Sequence, residues 1–401
     1  VIAAGTNVAD TLDTGTATTL NVSGTGSLEI FEVTDAQLVT LDASGLTGAL
    51  TIEGGTGITT ITGGAGNDTV DVLGTAQTST IVLGAGDDTV KFNATGSLTT
   101  ADTVTGGAGT DTLSNVTAEW DGYTTGTLTK VTGFEAATVT DAVAGNIDFT
   151  AIAGIKTVTL ATATDSTARQ VTMEAGDITL NLGSSLLEAL TVVDTGTAIT
   201  DTLTIKNSNT TADDMGNGKD VTSTGYETVT INSTAVGVTT QTFGAIIVTP
   251  DTSGVGSLTL TGADKITAAA ITATTIDASG MTAAGSGSTF TMSAAAITVT
   301  TITGSEGNDT LVGDAASTIN GGGGLDTITG GSGNDTIDGG AGNDLITTNA
   351  GVDNIQGGAG DDTITFAASY ASGDVVDGGA GTDILSLTSA GIAIIDGYAI
   401  S

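Results

Sequence analysis

The sequence contains no cysteine and no histidine, and these two absences exclude several kinds of chemistry. Without a thiol or an imidazole the chain cannot form a disulfide, a cysteine nucleophile, a Ser-His-Asp triad or a histidine-ligated zinc site. The missing disulfides do not argue against secretion, because an oxidising compartment permits disulfides but does not require them.

Positive charge is also scarce. Seven lysine and arginine residues stand against 45 aspartate and glutamate residues, which gives a formal net charge of −38. A basic patch for nucleic acid cannot form from so few cations, and no apolar run of about 18 residues predicts a membrane span. Because so many carboxylates repel one another in a compact chain, we expect that they are either solvated or bound by an external cation.

The single proline, Pro250, leaves the turns to glycine, asparagine, aspartate and serine. Threonine alternates with valine, isoleucine or leucine, as in residues 229–231 and 258–260, which predicts half-buried β-strands. Helical periodicity is rare, and the best candidate for one helical turn is residues 186–190. The cluster of polar residues at 207–220 predicts an exposed loop. The chain is therefore expected to be all-β.

Nine-residue repeats with the pattern GGxGxDxUx (U, apolar) occur in two blocks. In the C-terminal block, five consecutive units begin at residue 321, a further unit begins at Gly378, and another lies upstream at 304–312. In the earlier block, units begin at Gly63, Leu83 and Gly106. The segments 54–62 and 313–320 are degenerate, and we assign no ligand to Thr59 or to 313–320.

The spacing of the repeats predicts how their aspartates are arranged. Positions one to six form a turn, and positions seven to nine form a short strand whose position eight points inward. Two units make one coil, so position-six aspartates 18 residues apart stack on one side, as in Asp326, Asp344 and Asp362. Aspartates 68, 88 and 111 fit the same coil with small insertions on the opposite side. Carboxylates about 4.8 Å apart repel each other. A Ca²⁺ ion between them turns this repulsion into attraction, and carbonyl oxygens of the turns complete its coordination shell.

This nonamer resembles the RTX repeat of Gram-negative proteins exported by type I secretion. The resemblance implies a parallel β-roll that folds with calcium outside the cell and carries an uncleaved C-terminal export signal. It implies calcium ligation by the position-six side chains Asp68, Asp88, Asp111, Asp309, Asp326, Asp335, Asp344, Asp353, Asp362 and Asp383. Position-five side chains are expected to assist, and glycines of the same turns belong to the sites: Asn67, Asp87, Asn334, Asp361, Gly321, Gly323, Gly330, Gly339 and Gly357.

The two blocks flank a region rich in threonine, alanine and valine, with recurring phrases at 81–90, 131–139, 225–231 and 274–282. This arrangement is similar to the C-terminal, lattice-forming region of the Caulobacter-type crystalline S-layer proteins. The resemblance implies self-association into a two-dimensional lattice on the outer surface of a Gram-negative bacterium. That family is anchored to lipopolysaccharide by a separate N-terminal domain. No such helical segment is visible here, and the chain opens at Val1, so we expect a fragment or a processed product.

We expect an elongated right-handed parallel β-solenoid with five segments: a β-rich entry segment (1–52), a first RTX-like roll (53–114), a Thr/Val/Ala-rich β-domain (115–300), a second RTX roll (301–386) and a C-terminal strand or tail (387–401). The expected function is structural and non-enzymatic.

Two alternatives stay open at this point. The first is an RTX adhesin or matrix protein that binds cell-surface glycan, although the large near-identical repeats of adhesins are absent. The second is a β-solenoid polysaccharide-acting enzyme, which the scarcity of basic residues disfavours. Trp120 and Tyr123 fit a core or lattice contact better than a sugar platform. Asp141, Asp148 and Asp194 are expected to be solvated turn residues.

Overall fold

The computed structural model describes residues 2–9, 12–31, 33, 37–53, 58–72, 78–92, 97–123, 127–162, 164, 167–186, 188–197, 200–208, 214–233, 240–250, 256–281, 290–292, 299–367 and 370–387. Contacts divide the chain into two units. The first comprises residues 1–165, 169–174 and 178–181, and the second comprises 166–168, 175–177 and 182–401. This division falls inside the expected 115–300 segment, and the five sequence segments remain a prediction.

The first unit consists almost entirely of short strands. They are β1 (Ile2–Ala3), β2 (Thr6–Ala9), β3 (Thr19–Gly24), β4 (Ser27–Ile30), β5 (Thr40–Leu46), β6 (Leu50–Glu53), β7 (Thr60–Thr62), β8 (Thr69–Val72), β9 (Thr80–Ala85), β10 (Thr89–Phe92), β11 (Thr103–Ala108), β12 (Thr112–Asn115), β13 (Val131–Thr132), β14 (Ala136–Val139), β15 (Ile147–Asp148), β16 (Thr157–Leu160), β17 (Arg169–Met173) and β18 (Ile178–Leu182). One α-helical turn, α1, covers Thr117–Trp120, and a 3₁₀ turn covers Phe149–Ala151.

The described part of the second unit contains strands only. They are β19 (Leu190–Asp194), β20 (Thr202–Asn207), β21 (Lys219–Gly225), β22 (Thr228–Asn232), β23 (Thr240–Pro250), β24 (Ser257–Gly262), β25 (Lys265–Thr272), β26 (Thr275–Met281), β27 (Phe290–Met292), β28 (Thr301–Thr303), β29 (Thr310–Val312), β30 (Thr318–Asn320), β31 (Thr327–Thr329), β32 (Thr336–Ala341), β33 (Leu345–Thr348), β34 (Asn354–Ala359), β35 (Thr363–Phe366), β36 (Val375–Ala380) and β37 (Ile384–Leu387).

Strands pair with the second strand along the chain, and the pairs are parallel. In the first unit β8 pairs with β10 and β10 with β12, while β9 pairs with β11. In the second unit β32 pairs with β34, and β33 pairs with β35. Two consecutive strands therefore make one coil, and each unit is a parallel β-solenoid in its described residues, which confirms the predicted all-β parallel solenoid. Within the described ranges, no helix is long and apolar enough to cross a membrane.

The core is a column of aliphatic side chains contributed by position eight of each repeat. Ile319, Ile337 and Ile355 are in register on neighbouring strands, and each is 1% exposed. The side chains before and after them point away from the core, because successive side chains of a strand alternate between its two faces. Each buried aliphatic side chain stabilises the fold by roughly 1.5–3 kcal/mol, so the inward orientation of position eight is confirmed.

Two local expectations were wrong. The predicted helical turn at 186–190 is absent from its described residues: Leu186 is buried in irregular backbone and Leu190 begins β19. The predicted loop at 207–220 is shorter than expected, because Asn207 ends β20 and Lys219 begins β21. At 186–190 the buried column takes Leu190 from a strand, and at 207–220 the strands β20 and β21 extend into the polar cluster. In both places strand pairing overrides the weak local preference. Residues 187 and 209–213 lie outside the described residues.

The three isolated aspartates of the middle region have different environments. Asp141 is exposed, as expected, and its carboxylate accepts a 2.6 Å hydrogen bond from the main-chain N–H of Thr117. Asp148 is half-buried and caps the 3₁₀ turn by accepting from Thr150 N–H. Asp194 is only 5% exposed at the end of β19. Its assignment as a solvated turn residue was wrong, because the strand continues to Asp194 and directs this side chain inward.

Candidate metal centre

The position-six aspartates of the first block stack on one side of the solenoid. Asp68, Asp88 and Asp111 each directly precede a strand, namely β8, β10 and β12. The register pairs Thr89 with both Thr69 and Thr112, so the preceding aspartates occupy equivalent places on successive turns. All three are at most 1% exposed. The unequal sequence spacing is therefore absorbed between the strands without disturbing the stack.

The second block carries two such stacks on opposite sides. One stack precedes the odd-numbered strands β29 to β37, and the other precedes β32 and β34. The members of the first stack are Asp309, Asp326, Asp344, Asp362 and Asp383, and those of the second are Asp335 and Asp353. All are buried except Asp383, which is half-buried in the last described turn.

One carboxylate oxygen of each aspartate is used inside the fold. The main-chain N–H of a position-six aspartate donates to Oδ1 of the position-six aspartate one turn later. This bond measures 2.8 Å from Asp326 to Asp344 and from Asp344 to Asp362, and 3.0 Å from Asp335 to Asp353. The first block repeats the pattern, with 2.6 Å from Asp68 to Asp88. Each carboxylate therefore fixes the position of the turn before it.

The second carboxylate oxygen has no such use in six of these residues. Their Oδ2 atoms are buried and have no hydrogen-bond partner; the residues are Asp88, Asp111, Asp326, Asp335, Asp344 and Asp362. A buried carboxylate oxygen without a donor is costly, because it has lost its hydration and gained nothing in return. These six orphaned acceptors, distributed over the three stacks, mark places where the fold lacks a positive partner.

Burial raises the pKa of these carboxyl groups. The pKa of Asp326 rises to about 7, and those of Asp88 and Asp335 rise to about 6. Desolvation is the largest cause, and the charge of a neighbouring position-six aspartate adds to it, from Asp309 and Asp344 in the case of Asp326. Without a cation, these hydrogen-bonded stacks of position-six aspartates, here called ladders, therefore disfavour the charged form of their carboxyl groups.

Position-one glycines leave a space beside five of the six orphaned oxygens, the exception being Asp88, whose unit begins with Leu83. A Cβ on Gly339 would lie 2.6 Å from Asp344 Oδ2 and closer still to the carbonyl oxygen of Gly357, one turn later. The same pair of oxygens, a carboxylate and a next-turn carbonyl, surrounds Gly321 and Gly357. None of these three glycines has a positive φ. They are therefore required for space rather than for backbone conformation.

This donor set fits a hard divalent cation. Ca²⁺ takes six to eight oxygen ligands from carboxylates, carbonyls and water. The spaces beside Gly321, Gly339 and Gly357, here called cradles, each offer a charged carboxylate oxygen beside a carbonyl oxygen. Among the described residues no three acidic side chains converge on one point, so backbone carbonyls must supply much of any coordination shell. The position-six aspartates, with carbonyls such as that of Gly357, would hold the ion, and the ion would supply the missing positive charge.

Position-five side chains form a second ladder on the exposed surface. Asn67 Oδ1 accepts from Asp87 N–H at 3.0 Å, and Asp87 Oδ1 accepts from Thr110 N–H at 2.8 Å. Asn334 and Asp361 accept in the same way from Val352 and Thr382, at 2.9 and 2.8 Å. This ladder runs opposite to the first, because each side chain holds the turn after it. An assisting role in ion binding stays a prediction for these residues.

The two remaining glycines of the expected sites are placed differently. Gly330 is a position-one glycine whose Cβ would lie 2.6 Å from Asp335 Oδ2. Gly323 is at position three, its N–H donates to Ser305 O at 2.9 Å, and a Cβ there would lie 3.1 Å from Glu306 Oε2. Gly330 therefore lies beside an orphaned carboxylate oxygen and the side chain of Ile337 rather than beside a next-turn carbonyl, whereas Gly323 lies beside the carboxylate of Glu306.

The sequence patterns missed three further members of the ladders. Asp374 Oδ1 accepts from Asp353 N–H at 2.8 Å, and its Oδ2 accepts from Ala371 N–H at 2.6 Å. Asp102 is satisfied in the same way on the opposite side of the first block, and Glu135 accepts from Asp111 N–H at 2.9 Å. The sequence did contain a signal for Asp102, because Asp102, Thr103 and Val104 match positions six to eight of the nonamer.

Comparison with known proteins agrees with this geometry. A family model for the RTX calcium-binding nonapeptide repeat matches residues 48–74, 99–114, 300–317, 313–346, 347–365 and 370–387. A search of curated proteins found no match. The chain therefore carries RTX calcium-binding nonapeptide repeats in two blocks of a parallel β-solenoid. Such repeats are typical of secreted calcium-binding proteins.

Proposed function

We propose that this protein is a structural component of a bacterial surface layer. In this proposal, calcium drives the folding of the two RTX blocks outside the cell, and self-association of the folded chains builds a two-dimensional lattice on the outer surface of a Gram-negative bacterium. Attachment to lipopolysaccharide through another part of the protein belongs to the same proposal.

The observation that carries the calcium part is the set of six buried Oδ2 atoms without a hydrogen-bond partner in the three aspartate stacks. A chain with a net charge of −38 contains too few cations to neutralise them. In a compartment with little calcium these carboxylates repel one another and oppose folding. Millimolar calcium outside the cell neutralises them, so the binding free energy of the ions adds to the folding free energy.

Apolar side chains on the outer faces of the second block support the lattice part. Leu345 on β33 and Ile384 on β37 are 44% and 58% exposed. They flank Thr363 of β35 in the parallel register, so they lie on the same outward face. Val375 on β36 is 57% exposed. Exposed aliphatic side chains of this kind offer contacts to a further copy of the chain.

The glycan-binding alternative loses its best sequence candidate. Trp120 is completely buried and packs on Phe149, with ring centroids 4.8 Å apart. The hydroxyl of Tyr123 donates to Leu98 O at 2.8 Å. The Trp120 ring therefore offers no open face for a sugar of the kind that the adhesin alternative needs. A non-enzymatic role remains part of the proposal.

Electron microscopy of the purified chain tests the proposal. With millimolar calcium we expect ordered two-dimensional sheets, and with EGTA we expect dispersed chains that have lost their strand signal in far-UV circular dichroism. Folded chains that stay monomeric over a wide range of calcium and protein concentration would overturn the lattice proposal. Binding of those monomers to cells or glycan arrays would favour the adhesin alternative.

A further inference from the structure

The middle region, outside the nonapeptide repeats, contains a pair of acidic residues placed like the position-six aspartates. Asp201 directly precedes β20 and Glu227 directly precedes β22. These strands are parallel neighbours with Thr202 opposite Thr228. Asp201 and Glu227 therefore occupy equivalent places on adjacent turns. The matched repeat segments end at residue 114 and resume at residue 300, so no repeat assigns a function to this pair.

The hydrogen bonding of this pair reproduces that of the RTX ladders. The main-chain N–H of Asp201 donates to Glu227 Oε2 at 3.1 Å, as Asp326 N–H donates to Asp344 Oδ1. The other oxygens, Asp201 Oδ2 and Glu227 Oε1, are buried without a hydrogen-bond partner. Asp201 as a whole is 5% exposed. Two orphaned carboxylate oxygens on adjacent turns therefore occur in a sequence that lacks the GGxGxD pattern.

A third orphaned oxygen is near enough to Asp201 to be influenced by its charge. Tyr226 is completely buried, and its hydroxyl has no hydrogen-bond partner. Burial raises its pKa, and the nearby charges of Asp194 and Asp201 raise it further, so the phenol stays neutral. Buried polar atoms are normally hydrogen-bonded, yet the Tyr226 hydroxyl and Asp201 Oδ2 both lack a partner in the same neighbourhood. One bound ligand would satisfy both.

We propose that Asp201, Glu227 and Tyr226 form a further binding site for a hard divalent cation, with calcium as the physiological ion. Asp201 Oδ2 and Glu227 Oε1 supply two negative charges from adjacent turns, and the Tyr226 hydroxyl supplies a neutral oxygen. Backbone carbonyls and water complete the shell, since Ca²⁺ needs six to eight oxygens. The ion joins two adjacent turns of the middle region, outside the segments that match the repeat.

Ion counting on the full chain tests this site. The variant Glu227→Gln removes the charge of one orphaned oxygen and keeps the amide acceptor for Asp201 N–H. We expect it to bind one calcium ion fewer per chain than the wild type in equilibrium dialysis at saturating calcium. Asp177→Asn is the matched control, because Asp177 precedes β18, is exposed, and accepts from Thr202 N–H at 3.1 Å. The control is expected to bind the wild-type number of ions.

Terbium luminescence gives a second readout, which Tyr226→Phe can supply even if Glu227→Gln does not fold. Tb³⁺ replaces Ca²⁺ at oxygen sites, and a tyrosine beside it sensitises its emission. Tyr226→Phe is expected to lose part of the tyrosine-sensitised emission, and Glu227→Gln is expected to lose the same part. Equal ion counts in wild type and Glu227→Gln overturn the proposal. If Glu227→Gln does not fold, unchanged Tb³⁺ emission in Tyr226→Phe overturns it instead.

Discussion

The main-chain N–H of Asp326 donates a 2.8 Å hydrogen bond to Oδ1 of Asp344 one turn later, while Asp344 Oδ2 is buried with no partner. This relationship separates the two oxygens of one carboxylate into a structural oxygen and an oxygen available to an ion. It recurs along the ladders, so each aspartate links two turns and also presents a ligand. Changes at one aspartate are therefore expected to affect two neighbouring turns.

We expect Asp344→Ala to weaken calcium-dependent folding more than Asp383→Ala. Asp344→Ala leaves the buried N–H of Asp326 without an acceptor, which costs about 1–3 kcal/mol, and it removes an orphaned ligand between two other aspartates. Asp383 is half-buried in the last described turn, so water can replace it as the acceptor for Asp362 N–H. Calcium titrations followed by circular dichroism compare the two variants, and equal losses would contradict the ladder.

The cradle can be tested by filling it. Gly339→Ala places a methyl group between Asp344 Oδ2 and the carbonyl oxygen of Gly357, so we expect calcium affinity to fall about tenfold or more, which corresponds to at least about 1.4 kcal/mol. Gly15→Ala is the control, because nothing lies within 4 Å of its Cβ and only its φ of +72° opposes alanine. Gly15→Ala should reduce stability without changing calcium affinity. Unchanged affinity in Gly339→Ala would show that no ion uses this space.

Two adjacent aspartates offer a contrast between the two ladders. Asp361→Asn keeps the Oδ1 acceptor for Thr382 N–H on the exposed surface, and Asn343 already occupies the equivalent place one turn earlier. We expect a change of at most about 0.5 kcal/mol in the free energy of unfolding. Asp362→Asn removes a buried charge beside the cradle of Gly357 and should raise the calcium midpoint severalfold. The measurement is a calcium titration of both variants, and a larger effect at Asp361 would reverse the assignment.

The raised pKa values predict opposite pH dependence with and without calcium. In the calcium-free protein the folded pKa of Asp326 is about 7, against an ordinary value of 3.8. A raised carboxyl pKa stabilises the fold below about pH 4, and this stability is lost as the pH rises through about 6 to 7. We therefore expect calcium-free chains to regain strand signal as the pH falls from about 8 to 4.

Calcium affinity should fall over the same pH interval, because the ion needs the ionised carboxylate. Circular dichroism in chelator-treated buffer and calcium titrations at several pH values check the two trends. Asp326→Asn serves as the control and should shift the upper end of the calcium-free transition to lower pH. Calcium-free stability that rises with pH would contradict the burial of these groups.

The sequence predicted the fold and the stacking of the aspartates well, because both depend on periodicity. An inward position eight such as Ile337 and a spacing of 18 residues between Asp326 and Asp344 determine the coil almost by themselves. The sequence did not reveal that one oxygen of each carboxylate accepts a main-chain N–H, since that depends on the register between turns. The ladder member Asp374 was missed because it follows an insertion rather than a glycine-rich turn.

The remaining misses have tertiary causes. Asp194 was expected in solvent because it is followed by turn residues, yet the strand before it directs the side chain inward. The pair Asp201 and Glu227 carries no glycine signature, so only the parallel register shows that the two are neighbours. Leucines at 186–190 suggested a helix because local pattern cannot distinguish one helical turn from a short irregular entry into a strand.

The direction of the position-six hydrogen bonds gives the solenoid a chemical polarity. Each position-six amide is capped by a carboxylate that comes later in the chain, so a ladder shortened from its C-terminal side ends on a bare buried N–H. A ladder shortened from its N-terminal side ends on a carboxylate oxygen, which water solvates readily. Trimming should therefore be tolerated better from the N-terminal side of a ladder than from its C-terminal side. The position-six amides of each coil are satisfied only once the following coil has formed.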